Sequence, residues 1–401
     1  MSVTSGTDRL IANNFAGLEN KSLALLVNQS SVDSKFVHLL EHFSRRPELK
    51  LKVVFAPEHG LFGGPQDMES VSSSSEKLTG VPIVSLYDGT IAGLAPTEEA
   101  LSGIEILVID LPDIGSRYYT YAQTTALAME VAGRTKTKVL ILDRPNPIDG
   151  VTVEGSPLKK KYRSFCGMLT VPQRHGLTLG ELSLMYQKGF GPSDDAYPAC
   201  PCELEVVKCE GWNRTQYLDE AHGTWVIPSP NMPSLNAAIV YPGGCLFEGT
   251  NISEARGTTL PFEYIGAPFI DGHKLREQVL KENIELLGAT LRPVSFIPKF
   301  QKWANEECGG VQIHITDRKL FKPFRWGLAL ISSISRLYPG QFKWRTDSYE
   351  FIDHIPAIDL LYGSDSFRKL VDQKGDLAQL IPELTSFESE FSNERKPFLL
   401  Y

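Results

Sequence analysis

Short, uninterrupted apolar runs alternate with helix-patterned stretches through the first third of the chain, and they restrict its fold more than any other feature. Residues 23–27, 51–56, 81–86, 104–110 and 138–142 each have strand length and little polar alternation. A strand that is apolar on both sides must be covered on both sides, which is the habit of parallel sheets sandwiched by helices. Helical spacing over 35–45 and 117–133 supplies covering elements between strands. The pattern predicts an α/β fold with a Rossmann-like, doubly wound parallel sheet and right-handed crossovers.

From about residue 144 the chain is rich in Gly and Pro and poor in periodicity, apart from a helix over 179–188. The last third regains order. Asp271 reads as an N-cap for a helix over 273–283, 311–316 as a strand, and 326–337, 366–371 and 377–391 as helices. The expected division is a Rossmann-like domain over 1–255 and a smaller α+β domain over 256–401. The serine run 72–75 reads as a flexible loop.

The net charge of −8 argues against a nucleic-acid partner, whose electrostatic footprint would be basic. No apolar run is long enough to span a bilayer, so membrane insertion is not expected. The first residues show no basic and apolar leader, which points to a cytoplasmic protein, or to an exported one whose leader has been removed. Six cysteines are too sparse for a disulfide scaffold in 401 residues.

Ligands of open α/β sheets bind beyond the carboxyl ends of the strands. Those ends release Asn28 and Gln29, then Pro57-Glu58-His59-Gly60, then Asp110 and Asp113, then Asp143-Arg144-Pro145-Asn146. Asp and Asn at strand ends also serve as turn residues and caps, but four such ends together suggest a polar ligand. No G-x-G-x-x-G, P-loop, G-x-S-x-G or H-E-x-x-H motif is present, so nothing points to a nucleotide cofactor, and none is expected. Cys200, Cys202 and Cys209 with His222 do not have the usual zinc spacing. Thr178 and Glu181 form a capping box, a structural role that explains Glu181.

Six ordered motifs carry a family resemblance. They are Pro57-Glu58-His59-Gly60, the segment from Asp113 through Tyr121, Leu142-Asp143-Arg144-Pro145-Asn146-Pro147, the segment from Arg174 through Leu182, Pro228-Ser229-Pro230-Asn231-Met232-Pro233, and the segment from Phe247 through Thr258. In this order the chain resembles the bacterial exo-β-N-acetylmuramidases, a family formerly of unknown function. The resemblance implies a cleft between the two domains and cofactor-free release of a non-reducing terminal N-acetylmuramic acid from peptidoglycan fragments. It implies a catalytic role for Glu58. Pro112 stands where the family usually has Gln, and Ala255 where it usually has Gly, which suggests a different backbone turn.

Glycoside hydrolysis needs a carboxyl group to protonate the leaving oxygen, and Glu58 at a strand end suits that task. Asp113 is either its catalytic partner or a cap for the following helix, and His59 stands beside Glu58. Arg117 and Tyr119 offer a sugar-binding surface on one helix face. Muramic acid carries a lactyl carboxylate, and Arg144, Arg174 and Arg256 are the cations to meet it. Asn28, Gln29, Asn146, His175, Glu248 and Asn251 complete the expected substrate shell, with Glu248 a possible second carboxyl group or part of an interdomain network. Phe262, Tyr264, Pro268 and Phe269 would lid the sugar or pack the domains together. Two rival readings remain: a metal-dependent hydrolase using Glu58, His59, Asp113 and His175, and a muropeptide-binding protein without turnover.

Overall fold

A computed structural model describes residues 3–64, 74–75, 80–191 and 195–401. Strands β1 (Ser22–Val27), β2 (Lys50–Ala56), β3 (Ser74–Ser75), β4 (Pro82–Ser85), β5 (Ile106–Asp110), β6 (Lys138–Leu142) and β7 (Leu204–Val207) form one sheet in the order β3-β4-β2-β1-β5-β6-β7. Six strands run parallel, and β3 pairs antiparallel at the edge. The sheet turns back on itself at β1, which pairs with β2 on one side and β5 on the other. The carboxyl ends of these strands therefore open the crevice where such sheets take ligands.

The apolar strands are covered on both faces, as their sequence requires. Leu23, Leu25 and Val27 share a core with Leu10 and Phe43 from the helices Gly6–Ala12 and Leu39–Ser44. Their alternates Ala24 and Leu26 join Met129 and Ala132 of the helix Tyr121–Thr135 in a second core. Each fully buried aliphatic side chain of this kind contributes about 1.5–3 kcal/mol.

Several elements differ in extent from their sequence pattern. The helix over 35–45 shortens to Leu39–Ser44. The Asp33 carboxylate accepts from Lys35 N and Val37 N, both at 2.8 Å, and this local turn competes with the first helical turn. The helix over 117–133 runs instead from Tyr121 to Thr135, and ahead of it Arg117 N donates to Gln173 O at 3.0 Å. The helix Leu179–Lys188 has the expected bounds and capping box. Of the serine run expected as a loop, Ser72 and Ser73 lie outside the described residues, and Ser74–Ser75 form the edge strand.

The C-terminal part holds a three-stranded antiparallel sheet of β8 (Tyr264–Ala267), β9 (Ala289–Phe296) and β10 (Cys308–Ile315), in the order β8-β10-β9. Asp271 caps the helix Gly272–Val279 by accepting from His273 N and Lys274 N. The predicted helix over 377–391 divides into a 3-10 turn Leu377–Gln379 and a helix Ile381–Glu394, whose first turn accommodates Pro382. The two parts share a continuous core. The helices Leu235–Gly244 and Pro323–Leu337 cross at Gly243 and Gly327, where a Cβ on Gly327 would lie 2.6 Å from Gly243 O. No helix among the described residues is long and apolar enough to cross a membrane.

Candidate active site

β2 ends at Ala56, and the chain turns back at once: Gly60 N donates to Pro57 O at 3.0 Å. His59 takes the third position of this turn with φ +71°. A positive φ there normally selects Gly or Asn, and a left-handed backbone costs an ordinary residue about 1–2 kcal/mol. The turn buries Glu58 beside the start of the helix Tyr121–Thr135. Thr120, the N-cap of that helix, makes no capping bond. Its hydroxyl donates instead to Glu58 Oε2 at 2.9 Å.

Glu58 and His59 line a pocket walled by Tyr119, Tyr121, Ser229, Asn231, Tyr241, Glu248, Arg256, Phe262, Tyr349 and Glu350. Its aromatic wall is rigid: Tyr119 and Tyr121 meet edge-on at 4.9 Å, and Tyr241 and Phe262 at 4.8 Å. Burial pushes the Tyr119, Tyr121 and Tyr241 hydroxyls up, so they stay protonated. Tyr121 donates to Pro228 O at 2.8 Å and accepts from Asn28 Nδ2 at 3.0 Å.

Opposite charges alternate along one side. Arg256 Nη2 donates to Glu248 at 2.6 Å, Arg256 Nε lies 3.3 Å from Glu254, and Lys302 Nζ donates to Glu254 at 2.8 Å. Tyr349 donates to the other oxygen of Glu248 at 2.6 Å. Burial by itself raises the Glu248 carboxyl, but the Arg256 charge and the hydrogen bonds from Tyr349 and Arg256 outweigh it and hold it below its ordinary value. The Arg256 guanidinium also stacks over Phe262 at 5.0 Å.

The expected residues divide sharply. Glu58, His59, Tyr119, Glu248 and Arg256 converge on the pocket. Asp113 does not. It accepts from Gly115 N at 2.6 Å and faces His175 at 3.4 Å, so it neither caps the helix nor reaches Glu58. Arg117 is buried and donates to the carbonyls of Ser156, Val171, Leu361 and Tyr362, clamping distant segments together. Arg144 forks onto Asp110 at 2.6 and 2.8 Å and lines a separate groove with Asp113. Arg174 is fully buried against Asp149 at 2.9 Å.

The amides behave likewise. Asn28 and Gln29 hold the Pro228 carbonyl, at 3.0 and 2.8 Å, and so brace the wall from behind. Asn146 donates to Leu177 O at 2.9 Å, and Asn251 pairs with the backbone of Gln341 and Lys343. Of the expected aromatic lid only Phe262 lines the pocket. Tyr264 packs on Phe296, and Phe269 on Trp303 and Tyr338. Ala255 holds φ +63°, a left-handed backbone that Gly adopts at little cost. The residues of the rival metal reading split between the pocket and the Asp113–His175 pair, and no group of three or more His, Cys, Asp or Glu side chains placed to hold a metal ion occurs among the described residues.

Sequence reasoning passed over Ser229, Asn231, Tyr241, Lys302, Tyr349 and Glu350. The first two lie in a quoted motif whose role was unassigned. Tyr349 and Glu350 follow no parallel strand and carry no Gly signal.

The comparisons with known proteins bear on this pocket. Residues 23–236 match the N-terminal model of the exo-β-N-acetylmuramidase NamZ, and residues 239–401 match its C-terminal model. The chain is 38% identical over 399 residues to the peptidoglycan β-N-acetylmuramidase NamZ of Bacillus subtilis, covering 100% of this chain and 91% of the relative. Crystal structures of two DUF1343 family proteins from Bacteroides fragilis are also similar. One has a TM-score of 0.88 at 28% identity and the other 0.73 at 30%, each covering 100% of this chain and 99% of its own. With both domain models matched and a relative similar along the whole chain, this protein belongs to the exo-β-N-acetylmuramidase NamZ family.

Proposed function

We propose that this enzyme hydrolyses the β-linked N-acetylmuramic acid at the non-reducing end of peptidoglycan fragments, with Glu58 protonating the leaving oxygen. The observation that carries this reading is the position of Glu58: a buried carboxyl group at a strand end, in a pocket of neutral phenols, in a chain of this family. An acid so placed gives its proton to the glycosidic oxygen as the bond to the anomeric carbon breaks. The phenols donate hydrogen bonds to sugar hydroxyls, and their rings pack against its apolar faces. Arg256, fixed by Glu248 and Glu254, meets the lactyl carboxylate.

Glu58→Gln tests the acid on a natural disaccharide with N-acetylmuramic acid at its non-reducing end, whose sugar leaving group needs a proton. Gln keeps the shape but has no acid proton, so kcat drops about 10²–10⁴-fold while the melting temperature stays. Near-wild-type kcat would remove Glu58 from the mechanism. Mass spectrometry of defined glycan oligomers tests the exo reading: monosaccharide is released first, whereas early internal disaccharides mean an open cleft.

A further inference from the structure

Three glutamates line the pocket, and one has no role in the account above. Glu58 is the acid. Glu248 has one oxygen held by Arg256 and the other by Tyr349, each at 2.6 Å, so it serves as a fixed counter-charge. Glu350 enters from the C-terminal part of the chain and is 5% exposed. The Tyr87 hydroxyl stands 3.5 Å from its Oε2.

The backbone beneath Glu350 is strained. Tyr349 N donates to Ile352 O at 2.9 Å, and Ile352 N donates back to Tyr349 O at 3.0 Å, closing a two-residue turn. Its central residues, Glu350 and Phe351, have φ +46° and +67°. Positive φ at both positions marks a type I′ turn, which selects Asn-Gly or Gly-Gly. Neither Glu nor Phe suits it. The surroundings impose it. Phe351 packs on Tyr87 at 6.0 Å, Tyr349 is held by Glu248, and Arg345 lies 4.9 Å over the Tyr349 ring. Strain of this kind persists only where neighbours over-determine it, and it collects at functional sites.

We propose that Glu350 is the second catalytic carboxylate, the base that activates water on the face of the sugar opposite the scissile bond. The assignment rests on the reading of Glu58 as the acid. The water oxygen bonds to the anomeric carbon while the bond from that carbon to the leaving oxygen breaks. Glu58 gives its proton to the leaving oxygen, and the water gives one to Glu350. A proton then passes from Glu350 through solvent back to Glu58, restoring both groups. Direct displacement inverts the anomeric centre, so the α-anomer is the first product.

Glu350→Gln is assayed beside Glu58→Gln on two substrates, a natural disaccharide and an aryl β-N-acetylmuramide whose phenol leaves without protonation. On the aryl substrate Glu58→Gln regains most of its rate, while Glu350→Gln stays slower by about 100-fold or more, because water must still be activated. Glu350→Asn keeps the claim separate from folding. Asn suits the left-handed turn position, so this variant melts at or above the wild-type temperature yet loses activity like Glu350→Gln. Full activity of Glu350→Gln overturns the base, and so does β-anomer as the first product in proton NMR. A lowered melting temperature in Glu350→Asn would make Glu350 a structural residue. Full activity of Glu58→Gln on the disaccharide overturns the acid instead, so the two readings fail separately.

Discussion

The hydroxyl of Tyr349 lies 2.6 Å from Glu248 Oε2, which joins the C-terminal turn to the carboxylate that holds Arg256. Removing that hydroxyl leaves a buried carboxylate oxygen without its donor, a loss of about 1.5–3 kcal/mol for a hydrogen bond to a charged group. Tyr349→Phe should therefore lower stability by that order and loosen Arg256. We expect kcat/KM to fall about tenfold. Urea unfolding and steady-state kinetics measure the two effects. Unchanged kcat/KM with the stability loss present would show that this bond does not support the site.

Two of the three arginines expected to meet a lactyl carboxylate make opposite predictions. Arg256 lines the pocket, whereas Arg174 is buried elsewhere against Asp149. Arg256→Lys keeps a charge between Glu248 and Glu254 but loses the planar fork. The preference for N-acetylmuramide over N-acetylglucosaminide should fall about 10–100-fold, the equivalent of one charge-assisted hydrogen bond. Arg174→Met should leave that preference alone and cost about 3 kcal/mol, since it takes the paired cation from the buried Asp149. A preference that follows Arg174 rather than Arg256 would reject the assignment.

The sheet was legible in the sequence because buried parallel strands leave an unmistakable apolar signature. Residues 104–110 and 138–142 could hardly be anything else. The edge strand Leu204–Val207 was missed because it is short and carries a solvent-facing Glu205. The strand-end rule located Glu58 but overcounted its companions. Asp110, Arg144, Asn28 and Asn146 sit at the same rim, yet they spend their polar groups on one another and on backbone carbonyls. Sequence proximity to a strand end does not reveal whether a polar side chain faces a ligand or satisfies a buried neighbour. Glu350 was invisible for a different reason. Its turn needs Asn-Gly by local rules, and tertiary contacts forced Glu-Phe into it.

Asp143 makes the last prediction, on pH and stability. It is fully buried at the end of β6, where its carboxylate accepts from Thr178 Oγ1 at 2.7 Å, Tyr401 Oη at 2.7 Å and Gly180 N at 2.9 Å. Burial pushes its carboxyl up to about 6 despite those three donors, and nearby Glu181 adds to the rise. The folded value thus lies above the unfolded one, so the unfolded chain releases this proton first. Between pH 4 and 6 the unfolded state binds fewer protons at this site, and stability falls as pH rises through that window. A rise of about two units corresponds to about 3 kcal/mol. The contribution is fully present below pH 4 and lost above about pH 6. Asp143→Asn cannot titrate, and the Thr178 and Tyr401 hydroxyls can each turn to accept from its amide. Other carboxylates titrate in both proteins, so the difference between them isolates Asp143. Urea unfolding at pH 4, 5, 6 and 7 should show the wild type losing about 3 kcal/mol relative to Asp143→Asn across the series. A difference that stays flat with pH would mean that Asp143 ionises as readily in the folded protein as in the unfolded chain.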